Sequence, residues 1–314
     1  MDRVRRQLGL RDDWTKAGMR PVTIAVLDSG ISKHPDLKEA ILAFRDFTGG
    51  GAQGIRRSTF DPYDEFGHGT HVCGILCGSG AMSDGRFRGI CPGALLVVGK
   101  VLDRKGEGSA EQMLEAMEWI LKVRKQYDVR LLNVSVGISG LKDREKKRRL
   151  QNMMEKLSRE GILPVCAAGN KGPMPGTASF LGEGERTICV GCHDGAYFRG
   201  NPNRCEGYSG RGSLSDVPRK PDLVAPGTRI WSCAKSRVTG AERYGYEAKS
   251  GTSMATPIVT GCLARVLGSW PELDAKRLKR LALTTANDLG EPWNKQGFGM
   301  IDPNAMMENA KNFT

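Results

Sequence analysis

No uninterrupted apolar run approaches the roughly 18 residues that a membrane span needs, so a helical membrane protein is excluded. The first ten residues, Met1-Asp2-Arg3-Val4-Arg5-Arg6-Gln7-Leu8-Gly9-Leu10, are charged and lack the apolar core of a secretory leader. Internal repeats and low-complexity linkers are also missing, so nothing divides the chain into tethered modules. The nine cysteines are an odd count that suits a disulfide framework poorly. Free thiols in a reducing cytosol are the simplest expectation. Cys189-Val190-Gly191-Cys192 has the C-x-x-C spacing of metal and redox sites. No second C-x-x-C completes a zinc site, and these cysteines end an apolar run, so they read as structural. His68 and His71 have H-x-x-H spacing without the glutamate of H-E-x-x-H, so zinc is not expected there.

Acidic residues are short as well, 35 against 47 Lys and Arg, for a formal charge of +12. Much of the surplus lies in Lys142-Asp143-Arg144-Glu145-Lys146-Lys147-Arg148-Arg149, just before Leu150, Met153, Met154 and Leu157. That spacing predicts an amphipathic helix whose charged face is solvated. No aromatic residues interleave the run and no binding module accompanies it, so nucleic acid is not expected as a partner. Attraction of acidic substrates is the more modest consequence.

What remains is ample for one large domain: 314 residues, 39% of them apolar. Short apolar runs at 22–27, 95–101, 130–136, 162–167 and 187–190 read as strands. Helical patterns at 68–78, 109–125, 143–159, 252–268 and 275–285 alternate with them. The expected fold class is α/β, with a mainly parallel central sheet and helices on both faces. Active groups in such folds gather at the carboxyl ends of strands, where Asp28 and Asn170 fall. Residues 1–20 form an extension ahead of a domain at 21–314. Leu8, Leu10 and Trp14 give that extension apolar anchors for packing on the core or for reaching a cleft as a brake.

Gly251-Thr252-Ser253-Met254-Ala255-Thr256-Pro257 puts a serine between small residues at the start of an apolar helix. Unpaired backbone N–H groups there favour developing negative charge. An N-cap serine would look the same in isolation. Val26-Leu27-Asp28-Ser29-Gly30 and Gly67-His68-Gly69-Thr70-His71 supply an acid and a base, and Ala167-Ala168-Gly169-Asn170 a side-chain amide. As bland features these are a turn, a helix cap and a left-handed turn residue. Their shared order, Asp…His…Ser, is that of subtilisin-type enzymes.

Together the motifs resemble the subtilases, the subtilisin-like serine peptidases, over about 22–301. The resemblance implies a three-layer subtilisin-like fold and a serine endopeptidase. Ser253 would be nucleophile, His68 general base, Asp28 its orienting acid and Asn170 an oxyanion-hole donor, with an acyl-enzyme intermediate. It implies a polypeptide substrate bound as a middle strand. Ser135, Val136 and Gly137 would lie on one side and Gly106, Glu107 and Gly108 on the other. Ala168 and Gly169 would form a further pocket wall, with Lys171 at its rim favouring an acidic or polar side chain. Ala110 stands where relatives often carry an aromatic, which implies an open pocket four residues before the cut. His71 becomes a structural helix residue. No cofactor is required for catalysis. The loop Gly78-Ser79-Gly80-Ala81-Met82-Ser83-Asp84-Gly85 offers one carboxylate, so the family's high-affinity calcium site is expected to be missing. The resemblance is to intracellular bacterial members, implying a cytoplasmic protein that folds without a long pro-segment. A catalytically silent binding protein of the same fold would require damage to Asp28, His68, Asn170 or Ser253, and none is visible.

Overall fold

The computed structural model describes residues 1–10, 19–49, 61–137, 141–198, 200–215, 218–238 and 241–314. Trp14 and most of the glycine-rich loop at 49–54 lie outside the described residues. Seven strands form the central sheet: β1 Thr23–Asp28, β2 Ile41–Asp46, β3 Leu95–Lys100, β4 Val129–Val134, β5 Leu163–Ala167, β6 Ile188–Cys192 and β7 Leu223–Ala225. Their order is β2-β3-β1-β4-β5-β6-β7, with parallel pairing throughout. A parallel sheet needs long crossovers and cover on both faces. The core divides accordingly. Ile24 and Val26 of β1 join one apolar cluster with α2 (His68–Cys77) and α5 (Thr252–Ser269). Ala25 and Leu27 join another with α3 (Ala110–Val123) and α4 (Arg144–Arg159). Because β1 is covered on both sides, all its residues are buried and its sequence reads as a continuous apolar run.

Local chemistry sets the helix starts. Ser109 and Gln112 form a reciprocal capping box on α3. Asp143 accepts from Glu145 N and Lys146 N to open α4. The basic run of α4 is mostly exposed, while Leu150, Met154 and Leu157 are buried. Ala110 is 3% exposed and packs into the core.

A second sheet, the antiparallel hairpin β8 (Ile230–Val238) and β9 (Ala241–Lys249), packs over α2. The sequence reading missed it, along with edge strand β2 and short β7. At the front of the chain, α1 (Asp2–Gln7) lays Met1, Val4, Leu8 and Leu10 into the same cluster as α2 and α5. Arg3 ties it to Asp194 and to the carbonyl of Thr228. The free-thiol expectation needs correction at one point. Cys192, ending β6, is bonded to Cys205, their Cα atoms 5.8 Å apart. Their separation of 13 residues carries no sequence signal. The other seven cysteines are free and buried.

Candidate active site

Asp28 ends β1 and is fully buried. Its Oδ1 accepts from His68 Nδ1 at 2.7 Å and from Ser29 N at 2.7 Å. Its Oδ2 has no hydrogen-bond partner. His68 opens α2, its side chain 17% exposed. Burial is the largest influence on that imidazole and works to lower its pKa. The charge and hydrogen bond of Asp28 outweigh it, and the net shift is upward. Gly69 permits the approach of α2 to this strand end: a Cβ there would lie 2.1 Å from the Gly30 carbonyl oxygen.

Asp64, which the sequence reading passed over, holds the segments that carry Asp28 and His68 together. Its Oδ1 accepts from Ser29 Oγ and Gly67 N, and its Oδ2 from Thr70 N and Thr70 Oγ1. Ser29 Oγ accepts in turn from Gly69 N. A buried carboxylate thus satisfies the orphan donors at the start of α2 and suits its positive dipole end. The only available signal was an acidic residue four positions ahead of His68. Lys100 is another omission. Fully buried beside Asp28 in the β1–β3 register, it donates to the carbonyls of Ser29 and Leu102 and pairs with Glu65.

Ser253 is the second residue of α5 and half-buried. Its Oγ donates to the Ser135 carbonyl at 2.6 Å, and no hydrogen bond joins it to His68. Asn170, exposed just beyond β5, accepts on Oδ1 from both Thr252 N and Thr252 Oγ1 at 3.1 Å. A backbone N–H can only donate, so it fixes the amide orientation and turns Nδ2 away from Thr252. Thr252 Oγ1 also accepts from Gly169 N at 3.2 Å. This positioning role lay inside a motif the sequence reading quoted without assigning it. Gly251, at φ 142°, is needed here, since a Cβ would sit 3.2 Å from Asn170 Nδ2.

The remaining predicted residues surround this centre. Ser135 is buried and accepts on Oγ from Asn133, while Val136 is half-buried and Gly137 exposed. Ala168 is buried, and Gly169 takes a left-handed φ of 87°. Lys171 is exposed, with no ion pair among the described residues. Gly106, Glu107 and Gly108 leave a turn closed by Asp103 N donating to the Glu107 carbonyl. Phe66 covers Gly106, and its ring centroid lies 6.5 Å from that of His68. His71 faces the carbonyls of Ile230 and Glu247 through Nε2 at 3.1 Å, and burial pushes its pKa down to about 3.

Two buried groups of side chains have the composition of cation sites. In His34–Asp36–Cys233, the His34 ring bonds Asp36 N and the Gly245 carbonyl, and Asp36 accepts from Met82 N and Tyr246 Oη. In Cys192–Asp194–Cys205 the two sulfurs are bonded to each other. In the first set both His34 ring nitrogens and both Asp36 oxygens are already engaged, and in the second the two sulfurs are.

The sequence profile described as the Subtilase family matches residues 20–300. The chain belongs to the subtilase family of serine endopeptidases. It is 34% identical over 284 residues to serine protease AprX of Bacillus subtilis (strain 168), covering 87% of this chain and 62% of that one. It is 30% identical over 311 residues to an intracellular serine protease of Paenibacillus polymyxa, covering 96% of this chain and 84% of the relative. This chain therefore spans less than two thirds of the AprX length. Among solved structures, sphericase superposes with a TM-score of 0.70 at 27% identity, over 86% of this chain and 84% of that one. The seven-stranded parallel sheet between helix layers is thus a subtilase sheet.

Proposed function

We propose that this chain hydrolyses peptide bonds by acyl transfer to Ser253. The observation that carries the reading is the 2.7 Å contact between buried Asp28 and His68 at the carboxyl end of β1. With Nδ1–H donated to Asp28, the neutral imidazole presents Nε2 as base. Rotation about χ1 takes the Ser253 hydroxyl from the Ser135 carbonyl to that nitrogen, a bond that resting sites often leave unmade. Ser253 Oγ attacks the scissile carbonyl carbon, and its proton passes to His68 and then to the departing amine. Asp28 stabilises the imidazolium without taking the proton. The oxyanion meets Asn170 Nδ2, held by Thr252, and the Ser253 N–H at the start of α5. Water then attacks the acyl-enzyme by the same route.

The substrate lies as an extended strand between 135–137 and 106–108, with Ala168 and Gly169 as pocket wall and the Lys171 ammonium at the rim. No cofactor takes part. An intracellular location agrees with seven buried thiols and with the name of the Paenibacillus relative; fractionation of the producing cells tests it. The test of chemistry is intact mass after treatment with a serine-directed phosphonofluoridate, with Ser253→Ala in parallel. One adduct on the native chain and none on the variant is expected. A folded native chain that takes no adduct, or a variant that takes the same one, would sink the proposal.

A further inference from the structure

A pocket of about 330 Å³ opens between α1, the turn following α2 and the first residues of β8, and none of Asp28, His68, Asn170 or Ser253 lines it. Four arginines face it: Arg3, Arg6, Arg86 and Arg229. Arg3 is spoken for, bonded to Asp194 and the Thr228 carbonyl and set over the Phe198 ring. Arg6, Arg86 and Arg229 are exposed, and among the described residues no ion pair neutralises any of them. The single carboxylate in the lining is that of Asp2. Three guanidinium groups around one small cavity repel one another, which favours a multiply charged anion between them.

Arg229 adds a second observation. Its φ of 50° is left-handed, uncommon for a residue with a side chain, and its N–H is tied to Ser250 Oγ at 2.9 Å. The backbone thus holds this arginine at the pocket mouth against its own preference. The apolar wall has a particular form. Phe87 and Trp231 stack with centroids 5.6 Å apart and an 18° angle between planes. Trp231 remains 41% exposed.

We propose that this pocket binds a phosphorylated small molecule carrying a flat ring. Guanidinium forks match phosphate oxygens in pairs, and an exposed indole offers the ring a stacking partner. The volume falls at the small end of ligand pockets, roughly 300–1,000 Å³, which suits a single nucleotide-sized ligand. The site makes no use of the peptidase chemistry.

Isothermal titration calorimetry of the Ser253→Ala protein, a background without self-digestion, tests this. The probes are adenosine diphosphate and inorganic pyrophosphate. Adenosine diphosphate is expected to saturate one site and to bind about tenfold more tightly than pyrophosphate, the ring supplying the difference. Arg86→Ser with Arg229→Asn should weaken both probes at least about tenfold. Asparagine tolerates the left-handed backbone, and both positions are exposed, so folding is retained and far-UV circular dichroism checks it. Trp231→Leu should erase the advantage of the diphosphate nucleotide and leave pyrophosphate binding as it was. Absence of saturation by either probe, equal affinity for the two, or a double arginine variant that titrates like its parent would each overturn the proposal.

Discussion

At the proposed reactive centre, Thr252 supports two neighbours at once. Its hydroxyl donates to Asn170 Oδ1 and accepts from Gly169 N, so one atom sets both the amide plane and the adjoining pocket wall. Thr252→Val keeps the shape and the backbone bond to Asn170 but removes one of the two bonds that orient the amide. One neutral hydrogen bond is worth about 1 kcal/mol, which corresponds to a fall in kcat of about fivefold. KM should change little, because the amide is needed for the oxyanion rather than for the bound substrate. Thr252→Ser should restore the rate. A raised KM at constant kcat, or a serine variant as slow as the valine, would remove the positioning role. Loss of an oxyanion donor itself costs about 3 kcal/mol, a magnitude measured on subtilisin and carried over to this relative. The proposed reacting residues could be picked out because each sits in a short motif; their supports could not. Thr252 and Asp64 act through hydrogen bonds to backbone groups brought near by the fold, which adjacent letters do not report.

At the scale of one element, α2 carries two histidines on the same helix with opposite fates. His68 faces a carboxylate and its pKa rises; His71 faces only carbonyls, and its pKa drops to about 3. The unfolded chain therefore binds a proton at His71 that the folded one refuses, between its unfolded value near 6.5 and about 3. Stability present above pH ~6.5 is lost as pH falls through that window, by up to about 1.4 kcal/mol per unit. His68 does not interfere there. Its raised value makes it contribute below pH ~6.5 a full stabilisation that is lost only as pH climbs through the folded value. Burial lowers the pKa of His34 as well, so urea unfolding of Ser253→Ala protein from pH 6.5 to 5 should show a slope of about one proton or more, and His71→Gln, which cannot titrate, should reduce it by about one. Equal slopes would mean that His71 is protonated in the folded helix. Sequence gave the place of α2 but not this contrast, because the hairpin supplying the Ile230 and Glu247 carbonyls was missed. Ala-Glu-Arg-Tyr-Gly-Tyr-Glu-Ala-Lys is polar enough to read as loop, and becomes a strand by pairing with β8 and packing on α2.

Across the whole molecule, the parallel sheet and its two helix layers were legible because fully covered strands must be apolar runs and their crossovers amphipathic. Edge strand β2 and three-residue β7 were not, since neither is long and apolar enough to register. Charge is where the fold departs most from its composition, for some of the cationic excess is used inside. Lys220 Nζ donates to the carbonyls of Gly184 and Thr187 and to Asp222 Oδ2 at 2.7–3.3 Å. Lys279 Nζ adds bonds to the carbonyls of Glu185 and Thr187 and lies 2.9 Å from Asp222 Oδ1. Carbonyls converging with a carboxylate are the oxygen set of a hard cation, and here two ammonium groups fill it. Burial lowers the pKa of Lys279 even so, outweighing Asp222, and the neighbouring charge of Lys220 adds to the lowering. At the other end of the sheet, Asp36 is engaged by Met82 N and Tyr246 Oη. Both carboxylates are thus already hydrogen-bonded within the chain. Excess chelator is therefore expected to move the melting temperature of Ser253→Ala protein by less than about 2 °C, below 1 kcal/mol for a chain of this size. Lys220→Met should cost more, about 2 kcal/mol, because the Gly184 carbonyl is left with only the 3.4 Å bond from Thr187 N while Lys279 still neutralises Asp222. A fall of many degrees on chelation, reversed by calcium, would show that a cation carries what the lysines are held to carry.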